Sequence, residues 1–340
     1  MLGEQDHGDA TTFLAKTRLI KYLHEKKGFN VLAFESDFYG MTCGWGELIK
    51  DNDRLKSSLY KILIHLWSLS DGCHNLLYNY TPSTYKTAQP LILTGFDNQL
   101  YLSYSQQMLS HALDSVLKEN SPNLRNKEFY NEFLKQVDTL TRFGAGMRFK
   151  DDDQIKNLKE NCLQVQASLQ KGLKGMDYWN LIIDNLITAA KNGNEIRDMQ
   201  MAKNLEWLTD VKYPAEKIII WAANTHIMKY TDSIKSNKRD FDKVIFKNLG
   251  TIFTNLPAKK NETYVLGFSS YRGQAGRLGT SAFSIEAPSK NGFENWIPSD
   301  IDYGFVDFKK YNSEHNNLPT YILMKGPMHF TIPTKIAKIP

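Results

Sequence analysis

The chain has no long apolar run. Nothing approaches the ~18 consecutive apolar residues of a membrane-crossing helix, so no membrane span is expected. Cysteine is scarce, with Cys43, Cys73 and Cys162 the only three. None stands in C-x-x-C spacing, and an odd number builds no disulfide framework, so they read as buried or idle thiols. Positive charge is in slight excess, 42 Lys and Arg against 37 Asp and Glu, but it is nowhere concentrated. Lys26-Lys27, Lys235 to Arg239 and Lys259-Lys260 are short and read as solvated loops or helix ends. Nucleic acid needs a dense basic face, and no such partner is expected. No signal peptide is visible. The expected compartment is the cytoplasm if Met1 is the native start, and outside it if a leader has been removed.

Several catalytic motifs are also missing. Without a G-x-S-x-G elbow the chain is not read as a serine hydrolase of the α/β type. There is no P-loop and no H-E-x-x-H, and Gly44-Trp45-Gly46 lacks the strand and helix flanks of a dinucleotide fingerprint. No internal repeat or low-complexity tract occurs.

What is present is ordinary globular material: 340 residues, 41% apolar and 23% charged, with 17 Tyr and 18 Phe to fill an interior. Asp9 to Lys27 has the period of an amphipathic helix, with Asp9, Thr11 and Thr12 as candidate caps and Phe13, Leu14, Thr17, Ile20 and Leu23 as its buried stripe. Lys26, Lys27 and Gly28 close it. Phe29 to Glu35 reads as a strand buried on both faces. Loop, helix and strand make most of a βαβ unit.

Gly40, Gly44 and Gly46 then read as a loop, and Leu55 to Leu69 as a helix. Further strands are expected at Pro90–Asp97, Lys217–Ala222, Thr263–Phe268 and Gly304–Phe308. Helices are expected at 101–119, 126–142, 151–172 and 175–209, and an irregular tail after Pro319 with Pro327, Pro333 and Pro340. The fold class is therefore α/β: a central, mostly parallel sheet flanked by helices in three α/β/α layers, with a large helical insertion over 100–213. Residues 1–340 are read as one domain and as a monomer.

Chemistry concentrates in two places. The first is Gly3-Glu4-Gln5-Asp6-His7-Gly8, with Glu35 ending the following strand. Ligands of open α/β sheets sit beyond the carboxyl ends of the strands, where both would fall. A histidine near a helix N-terminus has its imidazolium form disfavoured and suits general-base work. Glu4 and Glu35 are each placed to accept its other ring N–H, while Gly3 and Gly8 would turn the backbone and leave N–H groups toward a ligand. The alternative is a histidine that caps a turn.

The second place is Asn224-Thr225-His226, just past a buried strand. His226 is a candidate site residue or a core histidine. Asn224 would donate to an oxyanion or brace the turn. Asp97 ends another strand and is a candidate for substrate binding or for a helix cap. Arg197 would bind substrate or pair locally with Asp198. A metal held by Glu4, His7, Glu35 and His226 is chemically possible, but the spacing does not demand it.

These residues resemble a known family. Gly3-Glu4-x-x-His7-Gly8, Lys16, Gly28-Phe29, Glu35, Gly95-Phe96-Asp97, Arg197-Asp198-x-x-Met201-Ala202-x-Asn204 and Trp221-Ala222-x-Asn224-x-His226 match, in order, the pattern of the erythromycin esterases, also labelled succinoglycan biosynthesis proteins. The resemblance covers most of the chain. It implies metal-independent, cofactor-free hydrolysis of a small-molecule ester or lactone, the macrolide ring in the type case, and with it antibiotic resistance. His7 would be the base that activates water. Glu4, Glu35 and His226 would orient base and water, and Lys16 would be their basic partner. Macrolide-hydrolysing members read Trp-Ala-His-Asn-x-His, whereas Ala223 stands here in place of the first histidine. Two other readings remain beside this one: a metal-dependent hydrolase or peptidase with a G-E-x-x-H site, and a haem- or ligand-binding protein of related fold.

Overall fold

The computed structural model describes residues 1–48, 54–142, 151–169, 175–191, 193–229, 231, 234–236, 246–298, 300–315, 324–325 and 334–336. Residues 237–239 of the basic stretch and the tail prolines Pro327, Pro333 and Pro340 lie outside these. The chain divides into two compact units, Thr17–Trp221 on one hand and Met1–Lys16 with Ala222–Pro340 on the other.

Helix α1, Ala10–Lys27, runs from one unit into the other. Asp9 caps it, accepting the Thr12 N–H on its side chain (3.1 Å) and the Phe13 N–H on its carbonyl (3.1 Å). Gly28, at φ 69°, ends it, and the Phe29 N–H closes back on the Leu23 carbonyl. The buried stripe differs from the expected one. Leu14 is exposed, and Lys16 takes an inward place beside Phe13, Thr17 and Ile20.

The unit Thr17–Trp221 is built on a three-stranded parallel sheet. β1 (Val31–Asp37) lies between β2 (Ile92–Asp97) and β3 (Ile218–Trp221). Val31 aligns with both Ile92 and Ile218, and Phe34 with Gly95 and Trp221. All seven β1 residues are buried: Val31 to Phe34 read as an apolar run, and Glu35, Ser36 and Asp37 carry polar side chains into the interior at its carboxyl end. Phe34 stacks on Trp221 with centroids 5.3 Å apart.

Parallel strands need crossovers, and helices supply them. Between β1 and β2 come α2 (Phe38–Leu48), α3 (Leu55–Ile62), α4 (His65–Ser68), α5 (Asp71–His74) and α6 (Thr81–Thr84). Between β2 and β3 come α7 (Ser103–Asn120), α8 (Phe129–Arg142), α9 (Asp152–Ser168), α10 (Met176–Lys191) and α11 (Asn194–Trp207), with no strand among the described residues.

Three expectations change here. Gly40, Gly44 and Gly46 belong to α2 rather than a loop. The Asp37 side chain caps that helix through the Gly40 N–H (2.8 Å), and burial of Phe38, Tyr39 and Met41 outweighs the poor helix propensity of glycine. The helix expected over Leu55–Leu69 breaks at Leu63, because the Ser36 hydroxyl, not a helical carbonyl, accepts the Ile64 N–H (3.1 Å). The helix expected over 175–209 is two helices, interrupted before Asn194.

In the other unit, Met1–Glu4 runs extended. Leu2 bridges Leu266 in parallel, its carbonyl accepts the Ala222 N–H (3.2 Å), and the Glu4 carbonyl accepts the Asn224 N–H (2.8 Å). Then follow α12 (Asn224–Ile227), β4 (Ile234–Ser236), α13 (Leu249–Asn255), β5 (Gly273–Ala275), β6 (Phe283–Ile285), α14 (Phe308–Glu314) and β7 (Thr334–Ile336). β4 pairs with β7, and β5 with β6, both antiparallel.

Thr263–Phe268 is thus a single bridge rather than a strand. Gly304–Phe308 is not a strand either: Phe305 is 63% exposed, and Asp307 caps α14. The tail is not irregular throughout, since Thr334–Ile336 pairs.

Candidate active site

Glu4 is the hub of the unit that holds the N-terminal segment. Its side chain is wholly buried. One carboxylate oxygen lies 2.8 Å from His7 Nδ1, and the other accepts from Lys16 Nζ at 2.6 Å. Lys16 is also wholly buried, two turns into α1, so the ammonium is fixed by the helix and by its partner together. His7 keeps 18% of its side-chain surface exposed, which makes it the outermost of the three.

A carboxylate only accepts hydrogen bonds, so the contact with Glu4 places a proton on Nδ1, and in the neutral ring the lone pair then falls on Nε2. That is the tautomer a general base needs. The arrangement pairs an orienting carboxylate with an imidazole and steadies the imidazolium that forms when a proton is taken.

The backbone around His7 is tied down from both sides. Gln5 accepts the Ser270 N–H (3.1 Å) and donates to the Lys325 carbonyl (3.0 Å). Asp6 accepts the Gly8 N–H (2.7 Å) and takes Arg277 on both oxygens. Asp9 accepts from the Ser270 hydroxyl at 2.5 Å. The two glycines do not serve as expected. The Gly3 N–H donates to Leu266 (2.8 Å) and that of Gly8 to Asp6, so neither is directed at a ligand. Their reason is close approach: a Cβ at Gly3 would lie 1.9 Å from Asn224 Oδ1, and one at Gly8 2.4 Å from the Gly276 carbonyl oxygen.

The two halves expected from sequence do meet, through backbone: the Asn224 N–H on the Glu4 carbonyl brings α12 beside the loop. His226 sits in α12 and is buried. The Asn224 side chain is engaged with Phe268, donating to its carbonyl (2.7 Å) and accepting its N–H (3.3 Å).

Glu35, Asp97 and Arg197 form a cluster of their own in the unit Thr17–Trp221. Arg197 reaches from α11 to the carboxyl ends of β1 and β2. Its Nε and Nη2 grip Asp97 at 3.0 and 2.5 Å, and Nη2 also reaches Glu35 at 2.8 Å. Both carboxylates are buried. Burial alone would lower the guanidinium pKa, but Asp97 and Glu35 outweigh it and hold the group firmly charged. Arg197 is therefore tied to strand ends far away in sequence, not merely to its neighbour Asp198. Asp97 accepts the Gln99 N–H (3.2 Å) and does not cap α7.

Sequence reasoning quoted Asn204 in its motif without a role and missed several other residues. Asn185 and Asn204 exchange amide hydrogen bonds at 2.8 and 2.7 Å, and Asn204 also donates to the Phe96 carbonyl (3.0 Å). The signal was the i, i+4, i+7 spacing of Arg197, Met201 and Asn204, one helix face. Asp37 was missed too. It is wholly buried and accepts from the Gly40 N–H (2.8 Å), the Leu102 N–H (3.2 Å) and the Ser105 hydroxyl (2.8 Å). Burial pushes its pKa up to about 7 in spite of these bonds. Arg277 and Ser270 carried no local motif at all.

Comparison with known proteins gives a consistent picture. The family model Erythromycin esterase matches residues 77–314. Glu4, His7, Lys16 and Glu35 precede that segment, while Asp97, Arg197, Asn224 and His226 fall within it. The chain is 29% identical over 300 residues to a Bacillus subtilis (strain 168) protein named Putative hydrolase YbfO, covering 80% of this chain. It spans 64% of that relative's length. Among solved structures it is similar to a Bacillus cereus protein (TM-score 0.71, 16% identity, 98% of this chain and 84% of that one). It is also similar to a mutant of the erythromycin esterase EreC in its open conformation (TM-score 0.66, 15% identity, 98% and 86%). A third is a succinoglycan biosynthesis protein (TM-score 0.62, 17% identity, 86% and 72%). At these identities the structures speak to the fold.

Proposed function

The chain belongs to the erythromycin esterase family, and from that premise we propose that it is a hydrolase that cleaves an ester or lactone with water activated by His7. The observation that carries the reading is the buried relay Lys16–Glu4–His7, with contacts of 2.6 and 2.8 Å. In this mechanism His7 Nε2 takes a proton from water as the oxygen adds to the substrate carbonyl carbon. The tetrahedral intermediate collapses, the carbon–oxygen bond to the leaving alcohol breaks, and the imidazolium returns its proton to the departing oxygen. Glu4 holds the ring in the required tautomer, and Lys16 keeps the second oxygen of Glu4 from swinging away. His226 and Asn224 on α12 are the proposed neighbours of this group, and Glu35, Asp97 and Arg197 are proposed separately as substrate-binding residues within the unit Thr17–Trp221.

The contact of Lys16 with Glu4 also bears on a metal-dependent alternative. A buried ammonium 2.6 Å from Glu4 Oε2 already satisfies that oxygen and would repel a divalent cation brought to it. Ala223 stands where the macrolide-hydrolysing pattern has a histidine, so the proposal is made for the bond type, and macrolides are one member of the test set.

Purified protein is to be incubated with erythromycin, simple lactones and 4-nitrophenyl acetate, and proton release followed with and without EDTA. The reading expects hydrolysis of at least one ester at a rate that EDTA leaves unchanged. Loss of all hydrolysis on chelation, restored by added metal, would replace it with the metal-dependent one.

A further inference from the structure

We infer that Arg277 is a positioning residue for His7, acting through a clamp on the two residues that flank it. The inference rests on the reading of His7 as the base and deepens it. Arg277 lies just after β5, in the connection of the β5–β6 hairpin. Its Nε is 3.2 Å from each oxygen of Asp6, and its Nη2 is 2.9 Å from Oδ2, so it meets the carboxylate with two nitrogens. Asp6 is buried to 2% exposure and spends Oδ1 on the Gly8 N–H as well.

Next to the clamp, the Gly276 N–H donates to the Gly8 carbonyl at 3.2 Å. The backbone of Gly276 is so close to Gly8 that a Cβ there would come within 2.4 Å of it. His7 is thus bracketed. The residue before it is fixed by a two-nitrogen guanidinium contact, and the residue after it by backbone contacts from the adjoining position of the same hairpin. Thr280 braces the clamp in turn, its hydroxyl accepting the Arg277 N–H (3.2 Å) and its own N–H donating to the Arg277 carbonyl (3.0 Å).

Two physical points give the clamp a role beyond stability. First, the geometry of the His7–Glu4 contact depends on where the 6–8 backbone places the ring. Displacing a catalytic group by about 1 Å costs on the order of 10²-fold in rate. Second, a guanidinium fixes both the direction and the distance of a carboxylate, whereas an ammonium fixes distance alone. Arginine is therefore the residue this position calls for, and lysine would hold Asp6 loosely.

The test uses the whole chain labelled with ¹⁵N-histidine. The His7 ring signals are assigned by their absence from His7→Gln. In the wild type the ring is expected to show a protonated Nδ1 and an unprotonated Nε2 at neutral pH. In Arg277→Ala those shifts should move toward the tautomer-averaged values of exposed histidine. kcat for 4-nitrophenyl acetate should fall about 10- to 100-fold with KM within twofold, and guanidinium chloride at low concentration should restore part of it. Arg277→Lys should fall between the two, and it serves as the folded reference if the alanine variant does not fold. Gly8→Ala, whose Cβ presses on the backbone of Gly276 and Arg277 and leaves the guanidinium itself in place, should give the same shift changes. Wild-type His7 shifts in both Arg277 variants would overturn the proposal. If His7→Gln hydrolyses at the wild-type rate, the base assignment fails instead, and the shifts still report whether the clamp positions the ring.

Discussion

Replacing Lys16 with methionine tests whether the Glu4–Lys16 pair is the buried ionic joint described above. Methionine keeps the length and apolar stem of lysine and deletes only the charge. Both partners are at 0% side-chain exposure, so no water can take the place of the lost ammonium without rearrangement. Breaking a buried pair by removing one partner typically costs about 3–5 kcal/mol, because the remaining charge is left uncompensated. With an unfolding entropy of roughly 2.1 cal/mol/K per residue, a chain of this size loses about 1.4 °C per kcal/mol, or about 4–7 °C here. Glu4→Leu combined with Lys16→Met removes both charges and should recover most of that loss, since apolar replacement of a whole buried pair is often neutral. Differential scanning calorimetry of the wild type, the single variants and the double variant completes the cycle. A Lys16→Met protein melting within about 1 °C of the wild type, or a double variant no better than the worse single one, would refute the argument.

Three further outcomes concern the unit Thr17–Trp221, with Leu14 of the other unit as an exposed control. Arg197→Met leaves the buried Glu35 and Asp97 carboxylates without their cation and should cost about 3–5 kcal/mol in urea unfolding, with Arg197→Lys intermediate because lysine cannot span both oxygens of Asp97 and still reach Glu35. The Asp37 carboxyl rises from 3.8 to about 7 on folding, so between those pH values the folded state holds more protons than the unfolded one, and its contribution to stability falls as pH rises, by roughly 4 kcal/mol at most. Asp37→Asn should remove this term, so the stability difference between variant and wild type grows from pH 4 to pH 7; a difference that is flat across that window contradicts it. Asn204→Ala strips the Phe96 carbonyl and Asn185 of a buried partner and should cost about 1–3 kcal/mol in the same assay, whereas an exposed-face change such as Leu14→Gln should stay within about 0.5 kcal/mol.

Much of this was legible in the sequence. β1 and β3 announced themselves as short β-branched or apolar runs, because strands buried on both faces carry no alternation to blur them. The start and stop of α1 followed from Asp9 and Gly28. The triplet of Glu4, His7 and Lys16 was visible as residue types, but the reason for Lys16 was not. A lysine on the buried face of an amphipathic helix looks like an error in the pattern until Glu4 is placed opposite it, and it is Leu14, the apolar residue, that faces out. Arg197 was only partly read for a similar cause, since Asp198 does act on its charge, but after Asp97 and Glu35. Local spacing offered Asp198 as its partner, whereas strand ends distant in sequence supply two carboxylates. The three glycines of α2 favoured a loop by propensity and lost to the Asp37 cap and aromatic burial. Arg277 could not be found at all from sequence, because an isolated arginine in a glycine-containing loop has no pattern until the fold carries it to Asp6.

The most direct test of the central claim is the rate of ester hydrolysis by His7→Ala on whichever ester the wild type cleaves. With His7 as the general base, held by Glu4, kcat should fall by about 10²–10⁴-fold, while the melting temperature stays near that of the wild type because the ring is partly exposed. A variant that is folded and hydrolyses the ester at the wild-type rate would contradict the account.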